Sequence, residues 1–464
     1  MDAGAPLIGE SHDERSTRRC PASGVAPPSP AGEIDRVDGR PSLLRALRHR
    51  NYRLFFAGQS LSLVGTWITR IATAWLVYRL TGSALLLGIV GFCGQIPTLF
   101  LAPVAGVFVD RWDRHRVLVV TQVLSMLQSL ALAVLALAGI ITVPMVLGLQ
   151  VCQGVINAFD TPARQAFVVT MIEDRADLPN AIALNSSMVN ASRILGPSIG
   201  GVLIAAVGEG WCFLLDAISY LAVIASLVAM RVPARALRTS ETRVAEELRA
   251  GFAYVIGFAP IGTALLLLAL VSTMGMPYTV LMPAMAAKVL HGGPHTLGLL
   301  MAAAGAGALG GAGYLASRRT VVGLGRVIAI ASGVFGAALM AFSQSRSLWL
   351  SLLILPVVGA GFMVSLAATN TVVQTITDER FRGRVMAFYT VAFLGTAPLG
   401  SLLAGVLADR IGEPATIAAG GAACVLGSLW FASRLPRLRE LVRPIYLEQG
   451  IIGAPTPAAG TEVE

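Results

Sequence analysis

Charge is scarce in this sequence of 464 residues: only 13% are Asp, Glu, Lys or Arg, whereas 55% are hydrophobic. A soluble globular domain carries about 25% charged residues. The deficit therefore argues against an ordinary soluble domain and favours a chain that lies mostly in lipid. Lysine is rarer still, because Lys288 is the single lysine among 35 basic residues.

The five cysteines and five histidines are too scattered to form a metal or catalytic cluster. No C-x-x-C pair occurs, which argues against a zinc site, an iron–sulfur cluster or a disulfide framework. The sequence also lacks the G-x-x-x-x-G-K-[ST] loop that an ATP-driven pump needs. We therefore expect neither an enzyme nor a protein that holds a metal or a cofactor.

Long uncharged runs are what the chain does contain. A helix that crosses the hydrocarbon core of a membrane needs about 20 apolar residues. Twelve such segments are predicted, at 52–79, 84–109, 117–138, 143–165, 181–207, 211–230, 258–287, 295–316, 325–344, 347–373, 384–408 and 414–433. The expected fold class is an all-α membrane protein, a bundle of 12 transmembrane helices in two six-helix halves.

Polar stretches divide the chain into five parts. We expect a disordered cytoplasmic tail, an N-terminal six-helix half, a cytoplasmic central linker, a C-terminal six-helix half and a second cytoplasmic tail. In order, these parts span residues 1–41, 42–230, 231–250, 251–433 and 434–464. The first tail has no apolar core and therefore is not a signal peptide.

The basic residues predict the orientation in the membrane. If the N-terminus is cytoplasmic, most of them fall on the cytoplasmic side, and the opposite side holds only Arg79, Lys288, Arg346 and Arg410. This distribution follows the positive-inside rule and places both termini in the cytoplasm. Since topology accounts for the net charge of +9, we expect a lipid bilayer and no nucleic acid as the partner of the basic residues.

The two halves repeat one another. Residues 201–209 match 405–413, and 172–174 match 376–378, both at an offset of 204. Leu87-Gly88 likewise resembles Leu297-Gly298. Several matches in the same linear order predict two six-helix repeats, which is the plan of many secondary transporters.

The loop between the second and third segments reads GVFVDRWDRHR over residues 106–116. It resembles the loop signature of the major facilitator superfamily through Gly106, Asp110, Arg111, Arg114 and Arg116. This resemblance covers about residues 42 to 435 and implies a major-facilitator-type bundle. Within that superfamily the chain is similar to the enterobactin-exporter-like subfamily of multidrug and siderophore efflux proteins. The stretches that carry this similarity are 51–60, 80–84, 160–165 and 178–185.

The loop chemistry predicts a conformational latch. Asp110 ends the second helix, where its carboxylate can pair with a loop arginine or face another helix terminus, and Gly106 allows a helix of the other half to approach. Such pairs hold one arrangement of the halves and break when the halves rock. Asp160, near the inner end of the fourth helix, is the candidate partner for one of the arginines. The alternatives are a solvated loop and a helix-end charge that reaches the interface.

A glycine–proline motif in the fifth helix predicts a hinge. Gly196, Pro197, Gly200 and Gly201 resemble the Gly-Pro-x-x-Gly-Gly motif of drug–proton antiporters. The proline removes one helical hydrogen-bond donor and kinks the helix, and the glycines allow close approach of a neighbouring backbone. The alternative is a close-packed helix crossing without a hinge.

Arg193 is the strongest candidate for a substrate contact, because it lies near mid-membrane, where a charge is costly and faces a cavity or a partner. Asn190 shares its polar helix face, and Arg70 occupies the first helix. A buried structural ion pair is the alternative for Arg193, and reaching the interface is the alternative for Arg70. The remaining substrate or coupling candidates are Gln95, Asn157 and Asp216.

Proton coupling has no obvious carrier. Many proton antiporters of the superfamily have an arginine in helix four before a Gln-Gly pair, whereas Gln150 stands at that position here. No acid lies deep in the first or fourth helix. Arg193, Arg70 or Asp216 would have to carry the proton, or the substrate itself would carry charge.

Together these features predict a secondary active transporter in the cell inner membrane. We expect a monomer that exports a small amphipathic or anionic molecule, drug-like or siderophore-like, by proton antiport through alternating access. One alternative keeps the fold but makes the protein an uptake carrier or a lysophospholipid transporter, since fold alone does not set direction. An alternative of another class is a non-transporting membrane sensor or scaffold.

Overall fold

The computed structural model describes residues 44–172, 174–230, 252–318 and 320–452, with the backbone but not the side chains of 102–104, 107, 110 and 175. Within these ranges the chain is helical and contains no strand. The predicted tail 1–41 and the predicted central linker 231–250 lie outside the described residues.

Twelve long helices, α1 to α12, correspond one to one to the predicted segments. Their bounds are Arg50–Thr81, Ala84–Arg111, Arg114–Leu137, Val143–Val168, Leu178–Val207, Glu209–Val228, Ala259–Val289, Pro294–Ser317, Leu324–Gln344, Leu348–Ile376, Arg382–Ile411 and Glu413–Glu448. Eleven helices in the described part of the chain are long and apolar enough to cross a membrane. The exception is α4, whose 26 residues include several polar and charged side chains but which packs between α2 and α3.

The two ends of the described chain differ from the sequence prediction. Helix α12 continues to Glu448, well past residue 433, because Leu435 and Leu438 are buried against the rest of the C-terminal half. Part of the predicted tail 434–464 is therefore helix. At the other end, a short 3-10 helix, Arg45–Arg48, precedes α1.

That short helix is fastened to the connection between α4 and α5. The fully buried carboxylate of Asp177 pairs with Arg45, with Arg48 at 2.7 Å and with His49 at 2.9 Å. Burial raises the pKa of Asp177, but hydrogen bonds from His49 and Arg45 and the charges of both arginines outweigh it and hold the pKa below its usual range. The carboxylate therefore stays ionised and ties the start of α1 to the start of α5.

Tight glycine turns separate α5 from α6 and α11 from α12. Gly208 and Gly412 adopt φ values of 84° and 85°, a region that a residue with a side chain rarely enters. Each turn is followed at once by a glutamate in the first helical turn, Glu209 and Glu413. The positive end of a helix dipole favours an acid there. Both halves of the repeat therefore contain the glycine turn and the glutamate that follows it.

Each of these glutamates forms an ion pair within its own half. Glu209 accepts two hydrogen bonds from Arg79, at 2.8 and 3.2 Å. Glu413 pairs with Lys288 at 2.7 Å. The two pairs join α1 to α6 and α7 to α12 at corresponding places in the repeat. Arg79 and Lys288, two of the four basic residues expected on the outer side, therefore join two helices of their own half.

The helices of each half pack mainly on one another. In the first half α1 packs on α5 and α6, and α3 on α4 and α6. In the second half α8 packs on α10, and α9 on α10 and α12. The main contacts between the halves are α5 with α8 and α2 with α11, so four helices carry the interface.

Two glycine pairs bring the halves together at one end of the bundle. A Cβ atom placed on Gly201 would lie 2.8 Å from the Gly298 Cα, and one placed on Gly88 would lie 2.9 Å from the Gly405 Cα. Because those distances leave no room for a side chain, backbone meets backbone at both contacts. Gly88 matches Gly298 in the repeat, and Gly201 matches Gly405, so the two contacts are symmetry-related.

The described glycines toward the opposite end of the same helices make no such contact. A Cβ atom added there to Gly106, Gly310, Gly313 or Gly383 would meet nothing within 4 Å. We call this end, which holds the loop 111–116, the basic end, and the other the glycine end. The close backbone contacts between the halves therefore lie at the glycine end.

Candidate functional site

Two arginines lie over one tryptophan between α1 and α5. The Arg70 Cζ is 4.6 Å from the centroid of the Trp67 ring, and the Arg193 Cζ is 5.5 Å from it. A guanidinium over an indole face at such distances forms a cation–π interaction. The structure therefore brings together the two predicted arginines and adds Trp67, which the sequence analysis had not selected.

The glycine–proline motif of α5 determines how closely this tryptophan approaches. A Cβ atom on Gly196 would collide with the Trp67 Cβ, and one on Gly200 would lie 3.3 Å from the Ile68 Cα. Gly201 faces the other half at Gly298, and Pro197 is buried beside them. The motif is thus the place where α5 meets α1 on one side and α8 on the other.

Neither of the two arginines has a counter-charge in the part of the chain that the structure describes. Among the described residues, neither Arg70 nor Arg193 has an acidic partner, and Arg193 Nε is buried without a hydrogen-bond acceptor. Arg70 is exposed although it projects from the middle of α1. The site therefore combines two positive charges, an aromatic ring and a buried hydrogen-bond donor that has no acceptor.

The second half contributes Tyr278 to this site. Its side chain is buried in α7 and lies within electrostatic range of Arg193. The ring of Phe335 holds it edge-to-face, with centroids 6.4 Å apart and an interplanar angle of 69°. Tyr278 follows a π-helical segment, Val271–Gly275, which shifts the helical register before it. Residues of both halves therefore surround Arg193.

Asp216 lies on another side of α1 and contacts neither arginine. It is 2% exposed and accepts a hydrogen bond of 2.9 Å from the Ser129 hydroxyl of α3. Its other carboxylate oxygen, Oδ1, is buried without a hydrogen-bond partner. The structure thus separates this coupling candidate from the substrate candidates.

The remaining predicted polar residues bond within their own helices. None of them is hydrogen-bonded to Arg70 or Arg193. The bonds are from Gln95 to the Gly91 carbonyl at 3.2 Å, from Gln153 to Asn157 at 3.1 Å and from Asn190 to the Ser186 carbonyl at 2.9 Å.

The predicted latch is only partly described. The Asp110 side chain lies outside the described residues, and Arg111 is exposed at the end of α2. Asp113 caps α3 by accepting the His115 amide at 2.9 Å, and its carboxylate lies 3.8 Å from Arg116. The loop is thus organised by Asp113 as the start of α3.

Two of the expected latch contacts are not formed in this conformation. Asp160 pairs with Arg164 on its own helix, 3.5 Å away, and not with Arg111, Arg114 or Arg116. The reason is spacing, because residues four apart on a helix face one another. The predicted close approach at Gly106 is also absent, since nothing lies within 4 Å of its Cβ position.

Trp67 and Tyr278 are the site residues that sequence reasoning missed. Trp67 precedes Arg70 by three residues, and that helical spacing places the two side chains on one face, so the signal was available. Tyr278 gave no comparable signal, because a π-helical segment changes which face of α7 it occupies.

Comparison with known proteins gives one family. Residues 42–444 match the family described as transmembrane secretion effectors. The chain is 32% identical over 397 residues to the multidrug efflux pump Tap of Mycolicibacterium fortuitum, covering 81% of this chain and 93% of that protein. It is 26% identical over 395 residues to the staphyloferrin A transporter of Staphylococcus aureus, covering 83% and 97%.

A solved structure supports the fold independently. A bacterial homologue of the human lysosomal transporter Spinster, in an inward-facing and unoccupied conformation, superposes with a TM-score of 0.62 at 15% identity, covering 90% of this chain and 100% of that one. The twelve-helix bundle, the family match and the efflux relatives agree with the expected fold class and the efflux interpretation. The chain therefore belongs to the transmembrane secretion effector family of major-facilitator-type transporters, which are multi-pass membrane proteins.

Proposed function

We propose that the protein is a secondary active transporter that exports a small anionic, amphipathic molecule by alternating access with proton antiport. The observation that carries the proposal is the pair of arginines on Trp67, which has no acidic partner in the described part of the chain. Charge within a membrane is costly unless it is paired. A bound anion would supply the missing negative charge.

The residues of the site favour a particular ligand chemistry. Guanidinium groups bind carboxylate, catecholate or phosphate oxygens with charge-assisted hydrogen bonds, and the unsatisfied Arg193 Nε is one available donor. The indole of Trp67 offers an apolar face to the body of the ligand. A small acid attached to an aromatic or aliphatic body fits both features.

Alternating access follows from the two ends of the interface. Backbone contacts close the glycine end, and we propose that the basic end is open in this conformation, so that rocking of the halves would reverse the arrangement. We propose that closure at the basic end forms a latch and that α5 bends at its motif. The proposed latch residues are Gly106, Asp110, Arg111, Arg114, Arg116 and Asp160. The proposed hinge residues are Gly196, Pro197, Gly200 and Gly201.

We propose that the chain is a monomer in the inner membrane. In the proposed orientation, the basic end faces the cytoplasm. Positive residues are retained on that side, and both termini would then be cytoplasmic. The open cleft would accept cargo from the cytoplasm, as export requires. The relatives support this direction, since one is an efflux pump and another a transporter for staphyloferrin A.

Transport into inverted vesicles tests the proposal. Vesicles with an imposed proton gradient are supplied with acidic amphiphiles, cationic drugs and lysophospholipids. We expect gradient-dependent uptake of the acidic amphiphiles, and its loss in Arg193→Ala. Flux of lysophospholipids alone would identify a lipid transporter, and flux in the opposite direction an uptake carrier. Absence of any gradient-dependent flux would favour the sensor or scaffold.

A further inference from the structure

We propose that Asp216 is the proton-binding site of this transporter and that α1 links its protonation to the arginine site. This inference rests on the proposed antiport function and names the group that carries the proton. It is drawn from what surrounds two buried acids of the N-terminal half, Asp216 and Asp160, which have opposite kinds of partners.

Asp160 has a cation and two hydrogen-bond donors around its carboxylate. Its Oδ1 accepts hydrogen bonds from the Gln122 amide at 2.8 Å and from the Thr121 hydroxyl at 3.0 Å, and Arg164 lies 3.5 Å from its Oδ2. An amide nitrogen and a guanidinium only donate, so two of these three partners cannot accept a hydrogen bond.

Asp216 is surrounded by hydroxyl groups and has no cation partner among the described residues. Ser129 donates to Oδ2 at 2.9 Å, while Oδ1 and the Thr69 hydroxyl oxygen are both buried without partners although they lie beside each other. A hydroxyl can either donate to a carboxylate or accept from a carboxylic acid. By rotating its hydroxyls, this pocket can satisfy both protonation states.

The backbone of α1 forms one wall of this pocket. A Cβ atom on Gly65 would lie 2.6 Å from Asp216 Oδ1 and 2.6 Å from the Ser219 hydroxyl. The Asp216 carboxyl group therefore packs directly against the backbone of α1 at Gly65. Any residue with a side chain at that position would collide with it. Removing a charge from so closed a pocket changes its energy strongly, because a buried ion without a counter-charge is costly.

No charged group on the neighbouring helices fixes the state of Asp216. The elements that pack on α6 are α1, α3 and α5. Arg70 of α1 and Arg193 of α5 lie on Trp67, and α3 presents the neutral Ser129. Along α6 itself, Tyr220 lies one turn further on and is a neutral neighbour, and Glu209 is paired with Arg79 two turns back. Proton concentration is thus free to set the state of Asp216.

Helix α1 connects this pocket to the ligand site. Thr69 faces the Asp216 carboxyl, and the next residue, Arg70, lies over the Trp67 ring. The Thr69 hydroxyl can donate to an ionised Asp216 and can accept from a protonated one, so the contact between α1 and α6 would change when Asp216 gains a proton. An anion at Arg70 and a proton at Asp216 would therefore influence each other through one turn of helix.

Two measurements on the purified protein test the inference. The first is the infrared carbonyl band of a protonated carboxylic acid, followed as pH rises. We expect a band that disappears on deprotonation and is missing in Asp216→Asn. The second is proton-driven accumulation and binding of an acidic amphiphile by proteoliposomes. Asp216→Asn is expected to retain binding and downhill exchange but to lose accumulation against a gradient.

The matched control is Glu209→Gln, which replaces the paired acid on the same helix and should retain both the band and the coupling. Ser129→Ala removes the donor to the ionised form and should shift the pH midpoint of transport upward, which keeps the test open if Asp216→Asn fails to fold. A titrating band without any transport would support the proton site while rejecting the proposed function. Wild-type accumulation in Asp216→Asn, or no band assignable to Asp216, would overturn the inference.

Discussion

Arg70 and Arg193 come from different helices of the same half, yet their guanidinium groups approach the ring of one tryptophan, Trp67. Two like charges in a weakly polar region repel each other. Their arrangement is therefore unfavourable until an anion binds between or beside them. We therefore expect this site to prefer negatively charged cargo.

Replacement of Arg193 tests that preference. A hydrogen bond to a charged group contributes about 1.5–3 kcal/mol, so Arg193→Ala should weaken binding of an acidic amphiphile by about 10- to 100-fold. Isothermal titration of the detergent-purified variant measures this loss. Arg346→Ala, which removes a charge from the connection between α9 and α10, should bind like the wild type. Equal affinity of Arg193→Ala and wild type would refute the anion site.

Glycine-to-alanine substitutions test the closed end of the interface. Gly201→Ala puts a methyl group 2.8 Å from the Gly298 Cα, and such overpacking costs about 1–3 kcal/mol. The conformation that is closed at the glycine end should become less populated. Gly313→Ala is the matched control in α8, because its Cβ meets nothing within 4 Å.

Labelling of a cysteine placed at the glycine end measures this population. Gly201→Ala should label faster than the wild type, and Gly313→Ala at the wild-type rate. If both variants label alike, the two glycine contacts do not hold the halves together.

The symmetry-related ion pairs should stabilise each half separately. Arg79→Ala leaves Glu209 unpaired at 8% exposure, and Lys288→Ala leaves Glu413 unpaired at 6%. Because both basic partners are half-exposed to solvent, each loss should cost about 1 kcal/mol. Thermal unfolding should show a lower midpoint for each variant and nearly additive losses in the double variant. Arg410→Ala at the same end should leave the midpoint unchanged.

The contact between the start of α1 and the start of α5 should depend on acidity. The pKa of Asp177 is lower in the folded protein than in an unfolded chain, so its ionised form contributes stability above the unfolded value of about 4. That contribution is lost as pH falls through the lower folded value. Protection of residues 44–49 from hydrogen exchange, relative to the intrinsic rate at each pH, should therefore be high at neutral pH and be lost only under strongly acidic conditions.

Asp177→Asn supplies the comparison for this effect. It should give low protection of residues 44–49 at neutral pH, and that protection, relative to the intrinsic exchange rate at each pH, should vary little with acidity. Asp174→Asn, which changes a half-exposed acid beside it, should resemble the wild type. Fast exchange in the wild type at neutral pH would contradict the proposed fastening.

The helices and the repeat were predictable because lipid imposes simple requirements. Uncharged runs long enough to cross a membrane marked all twelve helices, and the offset of 204 matched Gly201 with Gly405, although it did not predict which glycine each of them contacts. Side-chain partners were less predictable. Asp160 was expected to pair with a loop arginine, but it pairs with Arg164, which lies one turn away on the same helix. Asp216 was placed on the correct helix, but its surroundings come from α1 and α3, which no single-helix pattern reveals.

The glycine end holds the halves together without charge. Every ion pair between fully described residues joins residues of the same half, whereas Gly88 with Gly405 and Gly201 with Gly298 meet through backbone atoms. Dispersion contacts of this kind are not screened by dissolved ions, unlike exposed charges. Opening at that end should therefore proceed equally well in dilute and concentrated salt.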